Sequence, residues 1–176
     1  MTDRKLRLSA VFSGLILCVF TSGVIAESSV GRLELSEADR VAAFKAAGAV
    51  QRKGKWIICA PPADSGAPES AGATIETVLD LNGDGRPEAV ITDSGTYCYG
   101  RDEAGFQVLS KQANGSWRVI TGDSGIAEFL KTKGVGGWPD ISVGGPGFCF
   151  PVQRWNGKSY EVQRFEYQGK RCKPQR

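Results

Sequence analysis

Nine consecutive residues, Asp80-Leu81-Asn82-Gly83-Asp84-Gly85-Arg86-Pro87-Glu88, constrain this chain more than any others. They set oxygen-bearing side chains at positions 1, 3, 5 and 9 of a short loop, with Asp80, Asn82, Asp84 and Glu88. Arg86, at position 7, can add its backbone carbonyl. Hard oxygen donors at this spacing suit Ca2+, which takes about six to eight oxygens in flexible geometry. Gly83 and Gly85 supply the positive φ angles that turn such a loop inward. A plain Asn-Gly or Asp-Gly hairpin turn is the simpler alternative, but it needs one such dipeptide and leaves four alternating oxygen side chains without a reason.

The flanks decide what the loop connects. Thr74-Ile-Glu-Thr-Val-Leu79 precedes it and Ala89-Val-Ile-Thr92 follows. Both runs are short and rich in β-branched residues, which predicts strands. An EF-hand requires flanking helices and a bidentate Glu at position 12; that position is Ile91. The loop is therefore expected to join two strands.

Residues 1–26 have the pattern of a secretory signal peptide, leaving 27–176 as one domain. Arg4, Lys5 and Arg7 make a basic start, Leu8 to Phe20 an apolar run, and Val24-Ile25-Ala26 a small-residue cleavage site before Glu27. Cys18 lies inside the apolar run behind Leu17, which does not suit lipidation. An uncleaved anchor over 8–26 is the weaker alternative. Removing Arg4, Lys5, Arg7 and Asp3 takes the formal charge from +3 to +1, so the charge balance points to no nucleic-acid partner. No membrane insertion is expected after cleavage.

Cys59, Cys98, Cys149 and Cys172 remain, an even set behind an export signal, as two disulfides require. Three pairings are possible; proximity along the chain favours Cys59–Cys98 with Cys149–Cys172. The expected location is periplasmic or secreted.

Ser36 caps a predicted helix that carries Asp39 in its first turn and ends before Gly48. Lys55 to Cys59 reads as a strand, and the Ala/Pro/Ser/Gly stretch 60–72 as a loop. Beyond Leu79 the pattern is strand and turn, and it repeats. Arg86-Pro87-Glu88-Ala-Val-Ile-Thr-Asp-Ser-Gly95 overlays Trp138-Pro139-Asp140-Ile-Ser-Val-Gly-Gly-Pro-Gly147. Each copy continues into an aromatic-Cys-aromatic triplet around Cys98 or Cys149, then an Asn-Gly turn at 114–115 or 156–157, then Trp117 or Tyr160. Ile126 to Lys133, between the copies, is predicted as a short helix.

The loop and the strand behind it resemble the FG-GAP/VCBS repeat, the calcium-loop strand unit of integrin-type propellers. The similarity covers 80–99 well and 136–150 more weakly, where Pro139-Asp140 persists without the upstream ligands. It implies that Asp80, Asn82, Asp84, the Arg86 carbonyl and Glu88 hold Ca2+, with Glu88 standing where the family usually has Asp. Small exported bacterial proteins carrying one such loop are the group the chain most resembles. A propeller needs typically four or more blades, so two degenerate copies predict a mainly β, compact antiparallel domain with an N-terminal helix packed on it.

Catalytic signatures are weak. Gly122-Asp123-Ser124-Gly125 imitates a serine-protease segment, but the chain has no His and cannot build a Ser-His-Asp triad. Asp93, Glu103, Asp123 and Asp140 are the free carboxylates a glycoside hydrolase would need, and their spacing singles out no pair. Asp140 reads instead as a metal-free relic of the second copy. Trp117, Trp138, Trp155 and Tyr160 cluster in the C-terminal half; Trp138, beside Gly136-Gly137, is expected to be exposed. The first expectation is therefore a non-enzymatic, calcium-binding exported domain with a protein or envelope partner. A carbohydrate- or peptidoglycan-binding module using exposed Trp138 and Trp155 is the second, and a weak carboxylate hydrolase the third.

Overall fold

The computed structural model describes residues 33–68 and 70–174; the expected signal peptide lies outside them. Helix α1 (Glu37–Ala46) comes first, then a two-stranded ribbon of β1 (Val50–Arg52) and β2 (Lys55–Ile57). Strands β3 (Thr74–Leu79), β4 (Glu88–Ser94), β5 (Ala104–Lys111) and β6 (Trp117–Ser124) form one antiparallel meander. A second follows, made of β7 (Ile126–Lys133), β8 (Pro139–Gly144), β9 (Phe150–Trp155), β10 (Tyr160–Tyr167) and the short β11 (Lys170–Arg171). The chain is mainly β, as the sequence predicts, and among the described residues no helix is long and apolar enough to cross a membrane.

Strand alternation explains how the layers stack. On β4, Ala89 and Ile91 point toward α1 and join Leu109 and Trp117 in one buried cluster with Ala43 and Phe44. Val90 points the other way and joins Phe106 and Val108 against Ile141 and Val143 of the second sheet. The first sheet is thus covered on both faces, which is why β4 is buried along nearly its whole length. Each buried aliphatic or aromatic side chain of this kind contributes about 1.5–3 kcal/mol.

Helix α1 begins as its sequence predicts: the Ser36 hydroxyl accepts the Asp39 amide at 3.1 Å. Asp39 then ties the helix to the sheet, pairing with Lys111 Nζ at 2.7 Å and accepting from Trp117 Nε1 at 3.2 Å. Phe44 stacks on Trp56 at 5.0 Å between ring centroids. The cysteines pair as Cys59–Cys98 and Cys149–Cys172, with Cα separations of 6.1 and 5.7 Å. Two such bonds mark a protein of an oxidising compartment.

One predicted element is corrected. Residues 126–133 form strand β7, not a helix. Ala, Glu, Leu and Lys favour helix locally, but Ala127 and Phe129 recur with period two and pack on the core between the sheets. Cross-strand pairing of Ala127 with Val143 and Phe129 with Ile141 outweighs the local preference.

Candidate metal loop and its counterpart in the second sheet

The turn from β3 to β4 carries Asp80, Asn82, Asp84 and Arg86 and ends at Glu88, the first residue of β4. Gly83 and Gly85 adopt φ values of 80° and 81°, and side-chain oxygens fold onto the loop's own amides. Asp80 accepts the Gly83 amide at 2.8 Å, the Asp84 amide at 3.1 Å and the Gly85 amide at 2.9 Å. Asn82 Oδ1 accepts the Asp84 amide and Asp84 Oδ1 accepts the Arg86 amide, each at 2.9 Å. The Arg86 guanidinium pairs with Asp84 and reaches the Lys111 carbonyl with Nε at 3.1 Å.

Glu88 differs from the rest of the loop because it is fully buried. Two residues before Val90, it shares that residue's face and points toward the second sheet. Its carboxylate accepts the Leu81 amide at 2.7 Å and the Ser110 hydroxyl at 2.8 Å. Burial pushes its pKa up to about 7 against those two hydrogen bonds, and the charges of Asp84 and Asp80 push in the same direction. The donor set is all oxygen, as Ca2+ prefers, and the backbone curls as such a loop requires. Among the described residues, however, no three His, Cys, Asp or Glu side chains converge on one point. Asp84 and Glu88 would have to turn from their present partners to share an ion.

Asp140 occupies the matching place on β8, after a proline and one residue before the strand's first core residue. Adjacent to Ile141, it faces away from the first sheet, yet it is fully buried. Arg154 covers it with Nε and Nη2, each at 2.8 Å; Arg164 Nη1 lies at 2.7 Å and the Thr132 hydroxyl at 2.6 Å. Arg164 also pairs with Glu166. Burial pushes the Asp140 carboxyl up, but hydrogen bonds from Arg154, Thr132 and Arg164 outweigh it and hold the group well below the usual carboxylate range. Sequence reasoning missed both arginines. The available signal was an acidic residue predicted on a core strand with no loop to satisfy it, and arginines on the strands that follow.

The expected exposure of the tryptophans is corrected. Trp138 is 8% exposed and Trp155 7%. They pack on each other at 5.6 Å and on Tyr160 at 6.4 and 5.4 Å. Tyr160 donates to the Pro139 carbonyl at 2.8 Å. Val135 and Gly136 are exposed, but the turn does not carry Trp138 out with them. Gly137 lets the backbone press on loop 80–88, because a Cβ there would sit 2.6 Å from the Asn82 carbonyl oxygen.

The remaining acidic candidates are dispersed. Asp93 is buried and accepts the Cys59 and Ser94 amides and the Ser70 hydroxyl. Asp123 accepts from Gln153 at 3.0 Å, and Glu103 is exposed. The chain matches no protein-family model, no curated protein and no solved structure at a significant level.

Proposed function

We propose that this chain is an exported, calcium-binding, non-enzymatic domain that engages a partner in the cell envelope or outside the cell. The observation that carries the reading is the loop 80–88 itself. Its oxygens alternate along a curled backbone that ends at a buried carboxylate already burdened by two neighbouring negative charges. Asp80, Asn82, Asp84 and Glu88 would hold the ion by their side chains and Arg86 by its carbonyl, as in the FG-GAP/VCBS loop the segment resembles. A bound divalent cation offsets that repulsion and ties β3 to β4 beside the second sheet. The paired cysteines support export, because disulfides persist where the surroundings are oxidising. The carbohydrate-binding alternative is the weaker reading, because Trp138 and Trp155 are largely buried.

Thermal unfolding of the oxidised protein in Ca2+, Mg2+ or excess chelator tests this. A ligand that binds only the folded state adds about 2.7 kcal/mol at roughly a hundredfold excess over Kd. The expected result is a calcium-specific rise in Tm that Asp84→Ala removes. Superimposable melts in calcium and chelator would overturn the metal assignment.

A further inference from the structure

The end of the second sheet where β9, β10 and β11 meet brings two kinds of exposed side chain together. Phe148 is 58% exposed and Tyr167 42%, and their rings meet edge to face at 6.2 Å between centroids. Tyr167 also lies 6.2 Å from Phe150, the first residue of β9. Single exposed apolar side chains are ordinary; contiguous ones rimmed by polar groups mark a surface that a partner or a membrane covers.

The chain delivers cations to the same place. Lys170 and Arg171 form β11, opposite Tyr167 and Glu166, and Lys173 follows. All three are exposed. Glu166 is engaged with Arg164, and among the described residues none of the three cations has an ion-pair partner. Gln175 and Arg176, outside the described residues, add no acidic side chain. The Cys149–Cys172 bond ties the loop bearing Phe148 to this tail, so rings and cations are held side by side.

Charge is divided across this end of the sheet. The carboxylates of Asp102, Glu103 and Glu128, with Arg101 among them, line a separate hollow of about 510 Å³ that runs from Phe150 across β8 to Ile126 on β7. The acids therefore lie toward the β7 edge and the unpaired cations at the β11 edge.

We propose that the β10–β11 edge docks on an anionic lipid bilayer without spanning it. Phe148 and Tyr167 sit at the level of the headgroups, where aromatic side chains anchor proteins to membranes. Lys170, Arg171 and Lys173 lie against the lipid phosphates, drawn by the negative surface potential. So small a set of side chains falls well short of the about 20–30 residues that each side of a specific protein interface uses. A bilayer offers apolar depth and diffuse negative charge without a matching shape. This gives the envelope partner of the preceding reading a chemistry and uses no residue of the metal loop.

Co-sedimentation with vesicles tests the assignment, using the oxidised protein from residue 27 onward, because the apolar run 8–26 would bind lipid by itself. Phosphatidylcholine vesicles are compared with the same lipid containing phosphatidylglycerol, in excess chelator so that no calcium bridges protein and lipid. Adsorption should require phosphatidylglycerol and weaken as salt screens the charges. Each Lys or Arg near an anionic surface contributes about fivefold, so K170Q/R171Q/K173Q should weaken adsorption by about a hundredfold. Phe148→Ser should weaken it by at least about tenfold. Melting temperatures of both variants, read alongside, should match the parent because the altered side chains are exposed. Absent adsorption, equal adsorption to neutral and anionic vesicles, or adsorption that survives the triple variant overturns the proposal. So does polyglutamate that binds as tightly as the vesicles, which assigns the edge to an acidic protein surface. Calcium-dependent melting is read without lipid, so failure of either result leaves the other standing.

Discussion

Two meanders of the same wiring treat the same buried position differently. In the first, Glu88 opens β4, accepts one amide and one hydroxyl, and feels the charges of two further carboxylates. In the second, Asp140 is the second residue of β8 and is enclosed by Arg154 and Arg164. The difference follows from what covers each sheet. The first is sandwiched between α1 and the second sheet, and Glu88 lies in that interface. The second has one covered face, and Asp140 lies on the other. Two arginines with long aliphatic stems both neutralise that carboxylate and roof the open face. The matching carboxylate is therefore answered by protein cations in the second half, whereas in the first no cation among the described residues pairs with it and the proposed function assigns that part to a bound ion.

Removing the carboxylate of the second half should break the comparison most severely. Asp140→Ala leaves two guanidinium groups facing each other over a buried site, and loss of one partner of a buried ion pair costs about 3–5 kcal/mol. Urea unfolding should show this loss equally with calcium and with chelator. A loss confined to chelator would mean that the halves are not independent.

Acid sharpens the same contrast. The Asp140 pKa is depressed in the folded state, so its contribution to stability is present above the unfolded value of about 3.9 and disappears as pH falls through the folded value. The acid limb of the stability curve should be shallower in Asp140→Asn than in the parent, measured as Tm against pH below about 5.

The point where the halves touch gives a smaller effect. Gly137→Ala places a Cβ 2.6 Å from the Asn82 carbonyl at a φ of 81°, and overpacking of this kind costs about 1–3 kcal/mol. Because the displaced atom belongs to the metal loop, the calcium-dependent gain in Tm should shrink as well. A variant that melts early but keeps the full calcium increment would place the strain elsewhere.

Smallest is the link that holds α1 to the first sheet. Asp39→Ala removes the Lys111 pair and the Trp117 Nε1 acceptor. Both contacts are partly solvated, so the expected cost is about 1–2 kcal/mol, read by denaturant unfolding. It should be independent of calcium.

Much of the architecture was legible along the chain. Ser36 announces α1, the β-branched runs around 74–79 and 89–92 are strands, and the cysteines pair with their nearer neighbours. The errors share one cause. Residues 126–133 have helical propensity, but their pairing with β8 decides the outcome. Trp138 sits among glycines, but Trp155 and Tyr160, brought in by another hairpin, bury it. Arg154 and Arg164 look like surface cations until Asp140 comes between them.

What the sequence by itself determined is local: the capped helix start, the curled oxygen-rich loop with its two glycines, and the Asn-Gly turns. Those states are set by dihedral preference and hydrogen bonds within a few residues, so neighbours along the chain suffice. Only the tertiary structure decided which sheet face is covered, which aromatic is buried and which carboxylate meets a cation. Burial and charge pairing depend on groups distant in sequence, and a strand's two faces acquire different fates only when another layer packs on one of them.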